Sequence, residues 1–191
     1  NLLESRIGVL EKTMSNILST SLYSDGTGTS GKEVGGLQLI VADAGTGTVG
    51  GINSSTYTFW QNAQTTATSS AFSTTNIQAD MNTIYLSLVR GADSPDLIMA
   101  DTNAYKSFLG SLQAIQRVTS DRVATSGFTS VQYLNSDVIF DDACPANKMY
   151  FLNTDYLRLE VAANRNFVPG EAKMSVNQDA MVTPMFWSGN L

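Results

Sequence analysis

The chain has 191 residues, of which 42% are hydrophobic and only 15% charged, and its net charge is −6 with a pI near 4.5. This length can bury one substantial core, arranged in one or two subdomains. The acidic balance argues against nucleic-acid binding, because a protein that binds nucleic acid needs clustered Lys and Arg to displace counterions. Histidine is absent and Cys144 is the single cysteine. The commonest general base, a disulfide framework and a cysteine zinc site are therefore excluded.

The low proportion of charged residues has two interpretations. A polar surface with few charges is common where large areas meet other protein subunits, and it is also common in secreted binding modules. No apolar run approaches the roughly 18–20 residues that cross a bilayer. The chain does not begin with Met and opens almost directly on a helix, so we expect a fragment or processed product of a longer protein.

The first predicted element is an amphipathic helix over residues 1–19. Its apolar residues are spaced by fours and threes, which places them on one face of a helix. These residues are Leu3, Ile7, Leu10, Met14, Ile17 and Leu18.

A glycine-rich loop over residues 24–36 follows this helix and contains a phosphate-loop pattern. Residues Gly26–Lys32 match G-x-x-x-x-G-K, but the next position is Glu33, where that motif needs the Ser or Thr that holds magnesium. The motif also requires a strand before it and a helix after it. Here a helix precedes the loop and a strand is predicted over residues 37–41, so a glycine-rich surface turn is favoured over a nucleotide site.

Residues 43–71 are rich in Gly, Ser, Thr and Asn and are interrupted by Tyr57, Phe59 and Trp60. We expect these aromatic residues to anchor a long irregular excursion onto the body of the protein, and Tyr57 and Trp60 to contact neighbouring subunits. The alternative is a platform that stacks on sugars or bases. The absence of basic residues between Lys32 and Arg90 favours packing and subunit contact.

Residues 74–118 are predicted to form a helix, a buried strand and a second helix. Thr75 and Gln78 have capping-box spacing at the start of the first helix, Gly91 and Pro95 provide its stop, and residues 97–100 are a short apolar run typical of a buried strand. Asp101 is placed to cap the second helix, which should end near residue 118. The two apolar stripes are Ile77, Met81, Ile84, Leu88 and Val89, then Tyr105, Phe108, Leu109, Leu112 and Ile115. Two such helices around one strand predict a layer of helices on a sheet.

The rest of the chain is predicted to supply further strands. A mobile loop over residues 119–129 comes first, then strands at 131–134 and 138–140 joined by a turn at 135–137. Another strand is predicted at 149–152, a half-buried one at 157–161, and a last one at 181–187 that Pro184 marks as an edge or bulged strand.

The residues that carry chemistry do not form a recognisable catalytic or metal site. Asp141, Asp142 and Asp155 are the nearest approach to a carboxylate cluster, and a turn-forming role is favoured over metal ligation or an acid pair. Cys144 would need a histidine to act as a nucleophile, and no G-x-S-x-G pattern occurs. We therefore expect no enzyme activity, no cofactor and no metal.

The order and spacing of several stretches resemble the major capsid proteins of tailed bacteriophages, which have the Hong Kong 97-type coat fold. The resemblance covers nearly the whole chain. The stretches are Gly36–Leu37, the segment 48–55, 95–101, 113–117, Gly127–Phe128, 149–156, 165–169 and 189–191.

This resemblance implies an α+β capsid-type fold with a spine helix, a peripheral sheet and an axial domain of mixed sheet flanked by two helices. Residues 1–72 would be the end of the spine helix and the peripheral domain, 73–162 the axial domain, and 163–191 the return to the peripheral domain. The family's N-terminal arm and extended loop have no counterpart here, nor has the extended-loop lysine that forms covalent cross-links.

The function implied is that of a coat protein that self-assembles into the icosahedral phage head enclosing DNA. It would be made in the bacterial host cytoplasm and located in the virion, with its own copies as partners and with no small-molecule substrate, sequence-specific nucleic acid or membrane. Arg117 and Arg122 fall where axial-domain loops crowd the capsomer centre, and we expect them to pair subunits.

Two other functions remain as alternatives. One is a secreted or surface carbohydrate-binding or adhesion module that uses Tyr57, Phe59 and Trp60. The other, less favoured, is a nucleotide-binding enzyme that uses Gly26–Lys32.

Overall fold

The computed structural model describes residues 2–68, 71–112, 131–175 and 181–191. The described chain is α+β. It divides into two compact units, the first made of residues 1–37 with 158–191 and the second of residues 38–157.

The first unit begins with helix α1 (Leu2–Ser21), which confirms the predicted N-terminal helix. After α1 the chain turns back on itself, because the Leu37 amide donates to the Leu22 carbonyl at 2.7 Å and the Gly36 amide donates to the Ser24 carbonyl at 3.0 Å. Gly36 is required at this turn, since a Cβ there would collide with the Leu22 carbonyl. Between these contacts lies α2 (Gly28–Gly31), a single irregular turn.

The predicted strand over residues 37–41 is wrong. Leu37–Ile40 forms one turn of helix, α3. A short apolar run does not by itself distinguish a buried strand from a helix. Here Leu37 is held at the end of the turn that closes on Leu22, and no strand in the described residues pairs with this segment.

The C-terminal part of the first unit is an interrupted two-stranded ribbon of three antiparallel pairs. Strand β7 (Glu160–Val161) pairs with β12 (Gly189–Asn190), β8 (Val168–Pro169) with β11 (Met185–Phe186), and β9 (Lys173–Met174) with β10 (Met181–Val182).

Two strand predictions in this ribbon need correction. The half-buried strand over residues 157–161 is paired only at Glu160–Val161, and Leu159 is exposed. The long strand over residues 181–187 is split, because Pro184 has no amide hydrogen to donate and separates β10 from β11.

The second unit contains a small hairpin, β1 (Thr48–Val49) with β2 (Ile52–Asn53), and a four-stranded sheet. The sheet has the order β4 (Val131–Tyr133), β5 (Ser136–Phe140), β3 (Leu97–Ala100), β6 (Met149–Leu152). Strand β3 is parallel to β5 and antiparallel to β6. The predicted strands are confirmed here, although the turn between β4 and β5 is shorter than predicted and lies at Leu134–Asn135, with Leu134 at φ +52°.

Helices α4 (Ile77–Leu88) and α5 (Thr102–Ser111) pack on this sheet, as predicted. The core joins residues from both helices and three strands: Ile77, Met81, Ile98, Phe108, Val131 and Val138. The N-cap of α4 is Asn76 rather than Thr75, and it makes no side-chain capping bond, so the predicted capping box is wrong. Tyr85, absent from the predicted stripe, is buried in an edge-to-face contact with Tyr133.

Asp101 caps α5, which confirms that prediction. Its Oδ1 accepts from the Ala104 amide at 2.9 Å, and its Oδ2 accepts from the Asn147 amide at 2.8 Å. The carboxylate is buried, with 4% of the residue exposed, and its charge is met by two amide donors. Asp101 therefore joins the start of α5 to the turn that precedes β6.

Candidate assembly surfaces

The most exposed aromatic residues of the long excursion lie together in one short 3₁₀ turn and its N-cap. Tyr57, Phe59 and Trp60 form an aromatic cluster, with ring centroids 6.0 Å apart for Tyr57 and Phe59 and 6.4 Å apart for Phe59 and Trp60. The exposed fractions are 53%, 78% and 46% in that order. The expectation that these rings anchor the excursion onto the body is therefore wrong, since the rings contact one another and face solvent.

Hydrogen bonds around the hairpin β1–β2 hold the aromatic cluster in place. Gly50 and Gly51 both have positive φ, which suits the two-residue turn of the hairpin. The Ser54 hydroxyl and amide both bond to Gly47, and the Gln61 side-chain amide donates to the Ser54 carbonyl at 3.0 Å. The aromatic cluster is thus presented by a bonded turn.

A hollow of about 480 Å³ lies beside this excursion in the second unit. Its floor is apolar and comes from α4 and β6, and its rim includes residues 61–67 of the excursion and Asp43. The larger apolar side chains that line it include Val41, Phe72, Ile77, Met81, Ile84, Leu88, Met149 and Phe151. None of the three residues of the aromatic cluster lines the hollow of its own chain.

Two polar contacts hold the excursion against α4 and β6 at the edges of the hollow. The Lys148 ammonium lies 2.5 Å from a carboxylate oxygen of Asp43. The Asp80 carboxylate of α4 accepts from the Thr68 amide at 3.2 Å and from its hydroxyl at 2.5 Å. All four residues are at least partly exposed, so these contacts hold the excursion at the surface and do not bury it.

A second depression of about 750 Å³ lies between α5 and the segment before α4. Asn103, Tyr105 and Leu109 line it from α5. At its edge Gly110 allows a close approach, because a Cβ there would lie 2.7 Å from the Thr74 methyl group.

The first unit carries two further apolar surfaces. On α1, no described side chain is buried, and Ile7, Leu10 and Ile17 are 44%, 39% and 60% exposed. On the ribbon, Met174 and Met181 pair across β9 and β10 and are 71% and 70% exposed. Contiguous exposed apolar residues of this kind mark interaction surfaces.

The phosphate-loop pattern does not have phosphate-loop geometry. Thr29 and Ser30 both adopt left-handed backbone angles, and no strand of the described residues leads into the loop. The Glu33 carboxylate accepts from the Thr29 hydroxyl at 3.2 Å and packs against Gly28, which places a negative charge where a phosphate would have to bind. The Thr27 amide and hydroxyl donate to Asp25 and lower the pKa of that carboxyl. The surface-turn interpretation is confirmed.

The acidic residues and the cysteine have structural surroundings. Asp141 accepts from the Ala143 amide at 2.9 Å, which is a turn-forming bond. Within the described residues, no group of three or more His, Cys, Asp or Glu could hold a metal ion. Cys144 is buried, and burial, together with the nearby carboxylates of Asp101 and Asp141, raises the pKa of its thiol to about 12.

Not every predicted contact residue can be placed. The structure does not describe Arg117 and Arg122. The predicted loop over residues 119–129 and the predicted end of the second helix also lie outside the described residues. Tyr57 and Trp60 are placed in the aromatic cluster. Phe59 was not among the predicted subunit contacts, although it is the most exposed of the three.

A helix-on-sheet layer in one unit, together with exposed apolar side chains in both units, indicates a structural subunit that meets other protein chains. The family model described as SU10 major capsid protein matches residues 3–176, and the chain belongs to this family. No curated protein and no solved structure matches the chain.

Membership of this family establishes a structural viral coat role in a bacteriophage virion, with copies of the same chain as partners. The carbohydrate-binding alternative is not supported. No helix in the described part of the chain is long and apolar enough to cross a membrane.

Proposed function

We propose that this capsid protein is a Hong Kong 97-type coat subunit. In this proposal α1 is the end of the spine helix, the layer of α4, α5 and the four-stranded sheet is the axial domain, and the C-terminal ribbon belongs to the peripheral domain. The observation that carries the proposal is the mixed sheet flanked by two helices, preceded by a long helix and followed by a ribbon. The joining of both chain ends in one compact unit also supports it.

The subunit is proposed to assemble into an icosahedral head around DNA after synthesis in the host cytoplasm. Its net charge of −6 supports a container that does not hold DNA by direct contact, because an acidic wall repels the phosphate backbone. Proposed subunit contacts are the aromatic residues Tyr57 and Trp60, and Arg117 and Arg122. No substrate or cofactor enters this role.

Particle formation tests this proposal directly. The coat protein, produced in bacteria with the phage's other head proteins, is expected to sediment as closed particles. A particle map at side-chain resolution should place the four-stranded sheet and its two helices around the centre of each capsomer. A map with the ribbon at the capsomer centre and the sheet at its edge would reject the proposed domain roles. A mixture of free subunits and amorphous aggregate would reject the coat function itself.

A further inference from the structure

The aromatic cluster has the composition and exposure of the centre of an interface. Aromatic residues are enriched in buried interface cores and dominate their energetics. If a fully buried aromatic side chain covers about 150–250 Å², the exposed fractions of Tyr57, Phe59 and Trp60 leave roughly 250–450 Å² to be covered. This is a large part of the ~800 Å² that each partner contributes to a standard interface.

The hollow has the right size to receive that cluster. A cavity of about 150 Å³ holds one benzene ring. The hollow, at about 480 Å³, therefore has room for about three rings, and the apolar side chains that it leaves partly exposed include Phe72, Leu88 and Phe151. The aromatic cluster does not enter the hollow of its own chain. The cluster of another copy can therefore occupy that space.

The charge pattern favours contact between copies at this place. Each copy carries a net charge of −6, so copies repel one another wherever their acidic residues meet. Between Asp43 and Asp80 the sequence contains no Asp, Glu, Lys or Arg. The hollow is lined by Asp43, Asp80 and Lys148 as well as by apolar side chains, and a neutral cluster enters it without like-charge repulsion and without bringing in an unpaired charge.

We propose that the aromatic cluster of one coat subunit inserts into the hollow of a neighbouring copy. The contact is heterologous, because each copy gives its cluster to one neighbour and receives the cluster of another. Such contacts close into a ring when the rotation between copies closes, as around the centre of a capsomer. The inference rests on the proposed coat function and adds to it the identity of the two surfaces that meet between copies.

Cysteine cross-linking in assembled particles tests the contact. Particles are produced from a mixture of Thr58→Cys and Leu88→Cys subunits, so that all three rings of the cluster are kept, and are then oxidised. The native Cys144 is buried with a raised thiol pKa and gives a low background. Two matched controls replace the second partner: Leu86→Cys, which is 68% exposed on the same helix but does not line the hollow, and Asn103→Cys, which lines the second depression.

The expected result is a covalent dimer at least tenfold more abundant with Leu88→Cys than with either control. Equal cross-linking to Leu86→Cys or Asn103→Cys, or dimers formed by Thr58→Cys subunits alone, would overturn the proposed contact. In those cases the particles still form, and the coat function stands. Failure of the unmodified protein to form particles would instead overturn both proposals.

Particle yield provides a second measurement that does not depend on thiol chemistry. Phe59→Ala and Leu88→Trp should each lower the yield about tenfold, because the first removes a ring and the second fills the hollow. The double variant should be no worse than either single variant, since both changes remove the same contact. Leu86→Trp should leave the yield unchanged. The proposal would be contradicted if the particle yield of the double variant fell by the product of the two single losses while the thermal melting of the separated subunits stayed unchanged.

Discussion

The helix-on-sheet layer and the C-terminal ribbon use their apolar residues in opposite ways. In the layer, Ile77, Ile98 and Phe108 are fully buried against one another. In the ribbon, Met174 and Met181 face solvent although they lie in paired strands. An isolated two-stranded ribbon is marginally stable in water, whereas helices packed on a sheet supply their own core. The layer is thus stabilised from within, and the ribbon's apolar side chains remain available for another surface.

A matched pair of methionine substitutions gives the largest test of this difference. Met81→Ala removes a side chain that is 2% exposed and should lower the free energy of unfolding by about 2–5 kcal/mol. Met181→Ala removes one that is 70% exposed and should change it by less than ~0.5 kcal/mol. Urea denaturation of the separated subunits measures both. Equal losses from the two substitutions would show that the ribbon has a core of its own.

The buried cap at Asp101 should give the next largest effect, because it joins two elements of the layer. Asp101→Ala leaves the amides of Ala104 and Asn147 without their acceptor and should cost about 2–3 kcal/mol. Asp101→Asn keeps one acceptor oxygen and should cost less. The order of the two urea midpoints checks this prediction, and it is contradicted if both variants match the unmodified protein.

The layer should also lose stability at alkaline pH. Burial, with Tyr85 close by, raises the pKa of Tyr133 to about 12, and its hydroxyl donates to Asn82 Oδ1 at 2.6 Å. Because this folded-state pKa lies above the unfolded value near 10, the contribution is fully present below pH 10 and is lost as the pH rises through about 12. Tyr133→Phe should flatten the fall in unfolding free energy between pH 10 and 12. An unchanged slope would show that Tyr133 ionises as a free phenol.

A smaller effect is expected where the excursion is held over the hollow. The Lys148–Asp43 pair is partly exposed, at 27% and 57% of the two side chains, so Lys148→Ala should cost no more than about 1 kcal/mol. The loss should shrink at high salt. Hydrogen exchange of residues 42–68 should nevertheless become faster, while exchange in β3 stays slow. Faster exchange in both segments would mean that this surface contact supports the core.

The smallest effect on stability is expected for Arg117 and Arg122. Changing both to Glu takes the net charge from −6 to −10. Like-charge repulsion repeated around each capsomer should then lower particle yield, with little change in the melting of separated subunits. Changing both to Gln provides the matched control, which should assemble better than the Glu variant. Normal particle yield from the Glu variant at physiological salt would exclude these residues as assembly contacts.

The sequence predicted the layer well because local signals and burial agree there. The spacing of Ile77, Met81 and Ile84 marks the buried face of α4, and the apolar run at 97–100 is the central strand. Asp101 lies where a cap is needed and makes the expected bond. Each of these signals depends on neighbours within one element, and the core of the same chain satisfies them.

Predictions failed where the outcome depends on contacts that the pattern does not encode. Residues 37–41 have the composition of a strand, but a strand needs a pairing edge, and the turn that binds Leu37 to Leu22 offers none. Tyr57, Phe59 and Trp60 have the composition of an anchor, yet they lie exposed. An exposed surface that suits a second chain cannot be distinguished from a core contact by composition alone.

The position of β3 in the middle of the sheet sets a limit on how soon the subunit can fold during synthesis. Its partners β5 and β6 come later in the chain, and roughly fifty residues separate β3 from β6. At a synthesis rate of about 5–20 residues per second, the strand waits about 3–10 s for its last neighbour. During that time α4, β3 and α5 expose apolar side chains to the surrounding solution. Chaperone dependence should therefore be greatest for nascent chains that end between Ala100 and Met149, and should fall once Leu152 leaves the ribosome.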